Sequence, residues 1–264
     1  MSEICLVTVF LDINRDNWSH FTRSFDQYVR CFELYKFIPN DLIVYIDECR
    51  YEQVKQMCEQ FPHIKVIAVD ECWLNENISA YQYREREKEI MNSEEFRKLI
   101  SHRINHPECS KPEYNLIQHA KIDFLMYTIN NHLNQAEYYA WTDFGYFQNS
   151  SDIQYSPLKI TQCVPDKMNM IGLTPVENGD KNIIAILRAG TVRMCGNFYV
   201  AHKDILMRYQ ELYHRILAEM YSYNIVDDDQ HVMIRCFLEE SKLFHVWYLG
   251  GWFKAYGHFC GEHL

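Results

Sequence analysis

The residues best suited to chemistry follow a short apolar run in the middle of the chain. Tyr138, Tyr139, Ala140 and Trp141 precede the sequence Thr142-Asp143-Phe144-Gly145. A β-prone run of this length predicts a buried strand, so Asp143 would lie at the carboxyl end, where ligands bind in open α/β sheets. A carboxylate there can hold a divalent cation, which can neutralise a diphosphate. The alternative is an aspartate that caps a turn beside Gly145.

A second candidate is the acidic run Asp227-Asp228-Asp229, followed by Gln230 and His231. Carboxylates are favoured at a helix start by the free backbone N–H groups and the helix dipole. Three successive like charges exceed this need, because they repel one another unless something compensates. We therefore predict that Asp227 is mainly the helix cap and that Asp229 belongs to a reaction centre.

Several basic residues and one histidine are further candidates, each with an ordinary alternative. Arg188 and Arg193 lie in a predicted turn with two glycines, which suits close approach of the backbone to a ligand. Lys121 lies on a predicted helix shortly before the key strand, where a plain surface lysine is the alternative. His258 lies near the end of the sequence, and an exposed histidine is its alternative.

Composition and charge restrict the class of protein. The net charge of −10 argues against nucleic acid or an anionic membrane as the main partner, because both require a basic surface. No segment approaches the roughly 18 apolar residues of a membrane span. The ten cysteines lack the spacing of a zinc site or a disulfide framework, which predicts reduced thiols in a cytoplasmic protein. The first seven residues show no signal-peptide pattern, which favours a soluble, unprocessed chain.

The elements that must position these residues alternate between strand and helix. Apolar runs predict strands at 4–11, 42–46 and 64–69, separated by helical patterns at 20–37 and 52–61. This alternation predicts an α/β fold with a Rossmann-type, mostly parallel central sheet flanked by helices in a single domain. Further helices are expected at 112–130, 205–223 and 227–240, and further strands at 183–187, 197–201 and 243–248. The mixed charges of 81–106 indicate a solvated helical face instead of a nucleic-acid patch.

Three segments together resemble the HtrL/YibB-type proteins, a proposed glycosyltransferase group. They read TVFLDINRDNW near the start, PEYNLIQHAKIDFL in the middle and WTDFGYF at the centre, and the similarity runs from about Cys5 to Trp252. The order of elements is also similar to the GT-A fold of glycosyltransferases. Asp229-Gln230 and the segment 257–261 look like the Asp-Gln pair and the His-x-x-Gly metal motif of glycosyltransferase family 8. One departure is Gly145, since GT-A enzymes usually carry Asp-x-Asp there.

The resemblance implies transfer of a sugar from a nucleotide diphosphate sugar to the hydroxyl of a glycan or other acceptor. It implies a nucleotide-sugar half at about 1–148 and an acceptor half at about 149–264. Mn²⁺ or Mg²⁺ would be held by Asp143 and His258, with Lys121 and Arg188 as phosphate contacts. The base and ribose would lie near Phe10, Asp12 and Arg15. Asp229 would be the general base of an inverting enzyme, whereas in a retaining enzyme Asp229 or Gln230 would line the opposite face of the sugar.

Two other functions remain open at this point. The missing second Asp of the central motif favours a catalytically silent binder of sugar nucleotides or glycans on the same fold. A metal-dependent phosphohydrolase would instead use Asp143, the run 227–229 and His231. Hydrolysis of nucleotide sugars separates the first alternative from a transferase, and turnover of a simple phosphate ester identifies the second.

Overall fold

One seven-stranded sheet carries the fold of the computed structural model, which describes residues 2–149 and 156–261. The strand order is β3-β2-β1-β4-β6-β5-β7. The strands are β1 (Ile4–Phe10), β2 (Leu42–Asp47), β3 (Ile64–Val69), β4 (Tyr138–Thr142), β5 (Met168–Gly172), β6 (Met194–His202) and β7 (Phe244–Tyr248). Strand β6 pairs antiparallel with β4 and β5, and the other pairings are parallel. The expected single α/β domain with a mostly parallel sheet is confirmed.

Helices cover both faces of this sheet. In the described part of the chain they are α1 (Phe25–Phe32), α2 (Tyr51–Cys58), α3 (Glu71–Asn77), α4 (Arg84–Asn92), α5 (Glu94–Leu99), α6 (Pro107–Ser110), α7 (Pro112–Asn130), α8 (Ile183–Ala189), α9 (Lys203–Ser222), α10 (Asp229–Glu239) and α11 (Ala255–Cys260). One hydrophobic core lies beneath α7, α9 and α10, and a second lies beneath α1, α2 and α11. Strand β1 is buried along its whole length for this reason, which explains its uninterrupted apolar sequence.

Two assignments in the second half differ from the sequence prediction. The apolar run at 183–187 forms helix α8 instead of a strand: the Asn182 side chain accepts the Ala185 N–H at 3.1 Å, and Gly190 ends the helix with a φ of 60°. Short apolar runs do not distinguish a strand from a buried helix by periodicity alone. Strand β5 was not predicted, because Asn169 interrupts its apolar run. The Asn169 side chain is fully buried and forms hydrogen bonds with the backbone of Val164 and Lys167.

The pairing between β5 and β6 contains an irregularity that matters for the site. Met170 pairs with Tyr199, but the next residue, Ile171, pairs with Cys195. The residues of β6 between these partners, including Gly196, therefore depart from the regular ladder. Bulges of this kind re-aim backbone groups and are frequent beside functional sites.

Among residues 2–149 and 156–261, no helix is both long enough and apolar enough to cross a bilayer.

Candidate active site

A cleft with a free volume of about 300 Å³ opens at the carboxyl ends of β1 and β4. This volume lies at the lower end of the range of about 300–1,000 Å³ for small-molecule sites. Most of the residues selected from the sequence line it, namely Phe10, Asp12, Arg15, Lys121, Asp143, Asp229 and Gln230. They come from distant parts of the chain because parallel strands bring their carboxyl ends to one edge of the sheet.

Asp143 follows the last residue of β4, the fourth of the seven strands, and its side chain is 38% exposed in the cleft wall. Its position is thus the one expected from the sequence. Its backbone N–H donates to the Asn197 carbonyl at 3.0 Å, and its Oδ1 accepts from the Trp141 indole at 2.8 Å. These bonds fix the carboxylate at the strand end.

Lys121 is a buried lysine, not the surface residue considered as its alternative. It lies on α7 with 3% of its area exposed. Its Nζ is 2.7 Å from Asp229 Oδ2 and 3.2 Å from Asp143 Oδ1, and it donates to the Gly196 carbonyl at 2.8 Å. Burial alone would lower the pKa of Lys121, but the two carboxylates outweigh burial and raise it. We call Lys121, Asp143 and Asp229 the cleft cluster.

Asp229 is the first residue of α10 and the more enclosed of the two carboxylates in the cleft cluster, with a side chain 5% exposed against 38% for Asp143. Burial raises the pKa of Asp229 despite the Lys121 ammonium, which lowers it, and the Asp143 charge adds to the rise. A Cβ on Gly196 would lie 2.3 Å from Asp229 Oδ2, so only glycine leaves room for this carboxylate. The irregular stretch of β6 thus supplies both space for Asp229 and a carbonyl for Lys121.

The other two aspartates of the acidic run have different partners. The prediction that Asp227 caps α10 was wrong. Asp228 is the N-cap of this helix, and its Oδ1 accepts the Gln230 N–H at 3.0 Å. Burial and the neighbouring carboxylates raise the pKa of Asp228 well above its usual range. Asp227 turns away from the cleft, which it does not line.

Asp227 belongs to a second buried group, which we call the closed cluster: Arg103, Glu108, Asp227 and His231. Asp227 Oδ2 lies 3.0 Å from His231 Nδ1 and 3.5 Å from Arg103 Nη1, and Arg103 also pairs with Glu108. Burial would raise the pKa of Asp227, but His231 and Arg103 outweigh it and lower that pKa. None of the four lines the cleft.

The donor-side residues expected from the resemblance have identifiable partners. Phe10 packs against the rings of Phe25, Tyr28 and Phe144, with centroids 4.9–5.3 Å apart. Asp12 Oδ2 accepts from Arg50 Nε at 3.0 Å and Nη2 at 2.7 Å. The three rings are tilted by 46–62° from the Phe10 ring, and together they form an apolar wall beside a charged rim.

Two predicted site residues lie outside the cleft lining. Arg188 is exposed at the end of α8, and its carbonyl accepts from His102. His258 packs on Trp247 of β7, with ring centroids 4.3 Å apart. Strand β7 is three strands from β4, roughly 14 Å at about 4.8 Å per step. The structure therefore does not bring His258 to Asp143; α11 directs the imidazole toward the sheet edge.

The residues present do not fit the expected Mn²⁺ or Mg²⁺ centre at Asp143 and His258. Asp143 already accepts from Trp141, and the Lys121 ammonium lies between Asp143 and Asp229, where a shared cation would bind. In the described part of the chain, one group has the spacing of metal ligands, Asp227, Asp228 and His231. This group adjoins the Arg103 guanidinium and lies outside the cleft lining.

Several cleft residues were missed by sequence reasoning. Arg23 and Arg50 line the cleft, as do Gly196, Trp252 and Phe253. The aromatic pair is exposed by 36% and 40%. Arg23 was placed on the helix predicted at 20–37, but α1 begins at Phe25, so Arg23 lies in the loop that lines the cleft. Gly196 could not be found from local sequence, because the residues beside it, Lys121 and Asp229, belong to helices distant in the chain.

The chain is similar to several known proteins. A family described as bacterial proteins of unknown function, HtrL_YibB, matches residues 2–261. Protein HtrL of Escherichia coli (strain K12) is 26% identical over 274 aligned residues, covering 97% of this chain and 92% of that protein. Among solved structures, the apo form of mouse xyloside xylosyltransferase 1 has a TM-score of 0.43 and 12% identity, covering 93% of this chain and 84% of the other. A likeness at that level carries no argument about activity.

Proposed function

The chain belongs to the HtrL_YibB family, and from its cleft we propose that it is a glycosyltransferase using a nucleotide diphosphate sugar and an acceptor hydroxyl. The observation that carries this proposal is the cleft cluster at the end of the central strand. Lys121 holds Asp143 and Asp229 at 3.2 and 2.7 Å, within a cleft that also contains arginines and aromatic rings. Acid-base groups, cations and aromatic rings meet there.

Asp229 is suited to accept a proton from the acceptor hydroxyl. A general base works best when its pKa lies near the operating pH, and burial moves the pKa of Asp229 upward. As the hydroxyl oxygen bonds to the anomeric carbon, the bond from that carbon to the diphosphate oxygen breaks and the proton passes to Asp229. In a retaining reaction, Asp229 and Gln230 would instead line the opposite sugar face, and product stereochemistry distinguishes the two roles.

The two sides of the cleft support different substrates. Phe10 and Asp12, with Arg15, form the side proposed for the nucleotide, where aromatic surface and a charged rim suit a base and a ribose. Trp252 and Phe253 form the other side, and their exposed rings offer flat surface to a glycan acceptor. Lys121 is committed to two carboxylates, so its proposed role is to position them.

Incubation with a panel of nucleotide sugars and glycan acceptors tests the proposal, each in EDTA, Mn²⁺ and Mg²⁺. We expect release of the nucleoside diphosphate from one donor, increased by acceptor, and its loss in Asp229→Asn. Turnover of no donor under any of these conditions would overturn the transferase assignment. The incubations with and without Mn²⁺ or Mg²⁺ test the expected cofactor, because the Lys121 ammonium lies between the carboxylates of Asp143 and Asp229.

The silent binder remains a second candidate because of Gly145. The space beside this glycine is filled by Arg23: a Cβ there would lie 2.8 Å from Arg23 Nη2. Donor binding without hydrolysis or transfer would favour this candidate. The phosphohydrolase receives no such support, because Asp227 and His231 lie in the closed cluster and do not reach the cleft lining.

A further inference from the structure

The loop between β1 and α1 brings two guanidinium groups without carboxylate partners into the cleft. Arg15 and Arg23 both line it, and neither forms an ion pair with any residue that the structure describes. Arg50, in the same cleft, differs because Asp12 neutralises it at 2.7 Å. The chain has 36 acidic and 26 basic residues. With acidic groups in such excess, two unpaired cations in one cleft indicate an anionic ligand.

Arg15 is held by hydrogen bonds to its own loop and to α1. Its Nε donates to the Phe21 carbonyl at 2.9 Å, and its Nη1 donates to the Tyr28 hydroxyl at 2.7 Å. The guanidinium carbon lies 5.5 Å from the centre of the Trp18 ring. Phe21 has a φ of 58°, which bulky residues rarely adopt and which concentrates at functional sites. Nη2 has no partner among the described residues and is left for a ligand.

Arg23 is positioned by a ring and a glycine. Its guanidinium carbon lies 4.1 Å from the centre of the Tyr28 ring, and its Nη2 contacts Cys31 Sγ at 3.3 Å. Because a side chain at Gly145 would collide with Nη2, this glycine makes room for the guanidinium. Gly145 lies two residues after Asp143, at the position of the second aspartate of an Asp-x-Asp motif. The Arg23 guanidinium therefore lies where that second carboxylate would be.

We propose that Arg15 and Arg23 bind the phosphate oxygens of the donor diphosphate without a bridging divalent cation. A diphosphate esterified at both ends carries two negative charges, which the two unpaired guanidinium groups match. Guanidinium groups suit phosphate oxygens because their planar forks donate paired, charge-assisted hydrogen bonds. The identity of this anion as a donor diphosphate rests on the proposed glycosyltransferase function.

Calorimetric titration with inorganic pyrophosphate in EDTA tests the anion site directly. We expect the wild-type chain to bind, and the affinity to fall with rising salt as the charges are screened. Arg15→Gln and Arg23→Gln should each weaken binding roughly tenfold to a hundredfold, the usual effect of losing a hydrogen bond to a charged group. Arg30→Gln, which removes an exposed arginine of α1 outside the cleft lining, is the matched control.

Gly145→Ala provides an independent variant that leaves both arginines in place. Its Cβ would shift the Arg23 guanidinium but leave its charge, so pyrophosphate affinity should fall, by less than in Arg23→Gln, while the circular dichroism spectrum stays native. If pyrophosphate binds only after addition of Mn²⁺, or binds the arginine variants as tightly as wild type, the inference is overturned even when sugar transfer is observed. Arginine-dependent binding in EDTA without turnover of any donor supports it and overturns the glycosyltransferase proposal instead.

Discussion

The cleft cluster and the closed cluster use aspartates only two positions apart, yet their environments differ in charge balance and access. In the cleft cluster, the Lys121 ammonium faces two carboxylates and the group opens to a cavity. In the closed cluster, Arg103 and His231 face Asp227 and Glu108 away from the cleft. The N-cap residue Asp228 separates the two aspartates along the chain.

This difference shows that a perturbed pKa alone does not identify a functional residue. Burial and neighbouring charges raise the pKa of Asp229 and lower that of Asp227, and ion-pair networks with a structural role perturb pKa values as well. The closed cluster can balance its charges internally, whereas the cleft cluster has one more carboxylate than ammonium. Because the cleft cluster has this charge imbalance and opens to the cavity, we expect Asp229 to take part in the reaction and Asp227 to stabilise the fold.

Asp229→Asn is the variant for which we expect the largest effect, a loss of turnover. Loss of a general base should lower turnover about 10²–10⁴-fold, while Lys121 keeps Asp143 as its partner and the fold persists. Steady-state rates with the responsive nucleotide sugar measure this, with Asp26→Asn at an exposed position of α1 as the control. Near-normal turnover at saturating acceptor would remove Asp229 from the reaction centre and make Asp143 the next residue to test.

Asp227→Ala should act on stability instead of turnover. Removing one partner of a buried ion pair leaves the remaining charges uncompensated and costs about 3–5 kcal/mol. The free energy of unfolding from urea titration should fall by this amount, and the folded fraction should keep its rate. The exposed control Asp26→Ala should change stability by about 0.5 kcal/mol or less. A strong loss of turnover in fully folded Asp227→Ala would contradict the separation of the two clusters.

Gly196→Ala tests whether the position of Asp229 matters as well as its charge. The added methyl would lie 2.3 Å from Asp229 Oδ2 and must displace the carboxylate. Misplacement by about 1 Å can cost up to about 10² in rate, so turnover should fall below wild type but stay above Asp229→Asn. Gly179→Ala is the matched control, since its Cβ would meet nothing within 4 Å. Equal rates in the two alanine variants would show that the carboxylate tolerates displacement.

The smallest expected effect is the pH dependence of the closed cluster. Burial would lower the pKa of His231, but Asp227 outweighs burial and raises it. A raised folded pKa contributes stability that is complete below the unfolded value, about 6.5, and is lost as the pH rises through the folded value. The stability difference between wild type and His231→Gln should therefore shrink as the pH increases above about 6.5. Urea unfolding from pH 5 to pH 9 measures it, and a constant difference would argue against the ion pair.

Elements that depend on local patterns could be predicted from the amino-acid sequence. Strands β1 to β4 were predicted within a few residues, because buried parallel strands are short apolar runs separated by amphipathic helices. The position of Asp143 followed from the end of one such run. The helix start in the acidic run was also evident, although the cap is Asp228 and not Asp227.

Tertiary structure alone decided which charged residues meet. Lys121 is 22 residues from Asp143 and 108 from Asp229 in the chain, and their contact depends on how α7 and α10 pack on the sheet. The same packing turns His258 toward Trp247 and forms α8 from a run that resembles a strand. Local composition specifies which face of an element is apolar, but the partner of a buried charge is set by elements distant in sequence, and no local pattern encodes it.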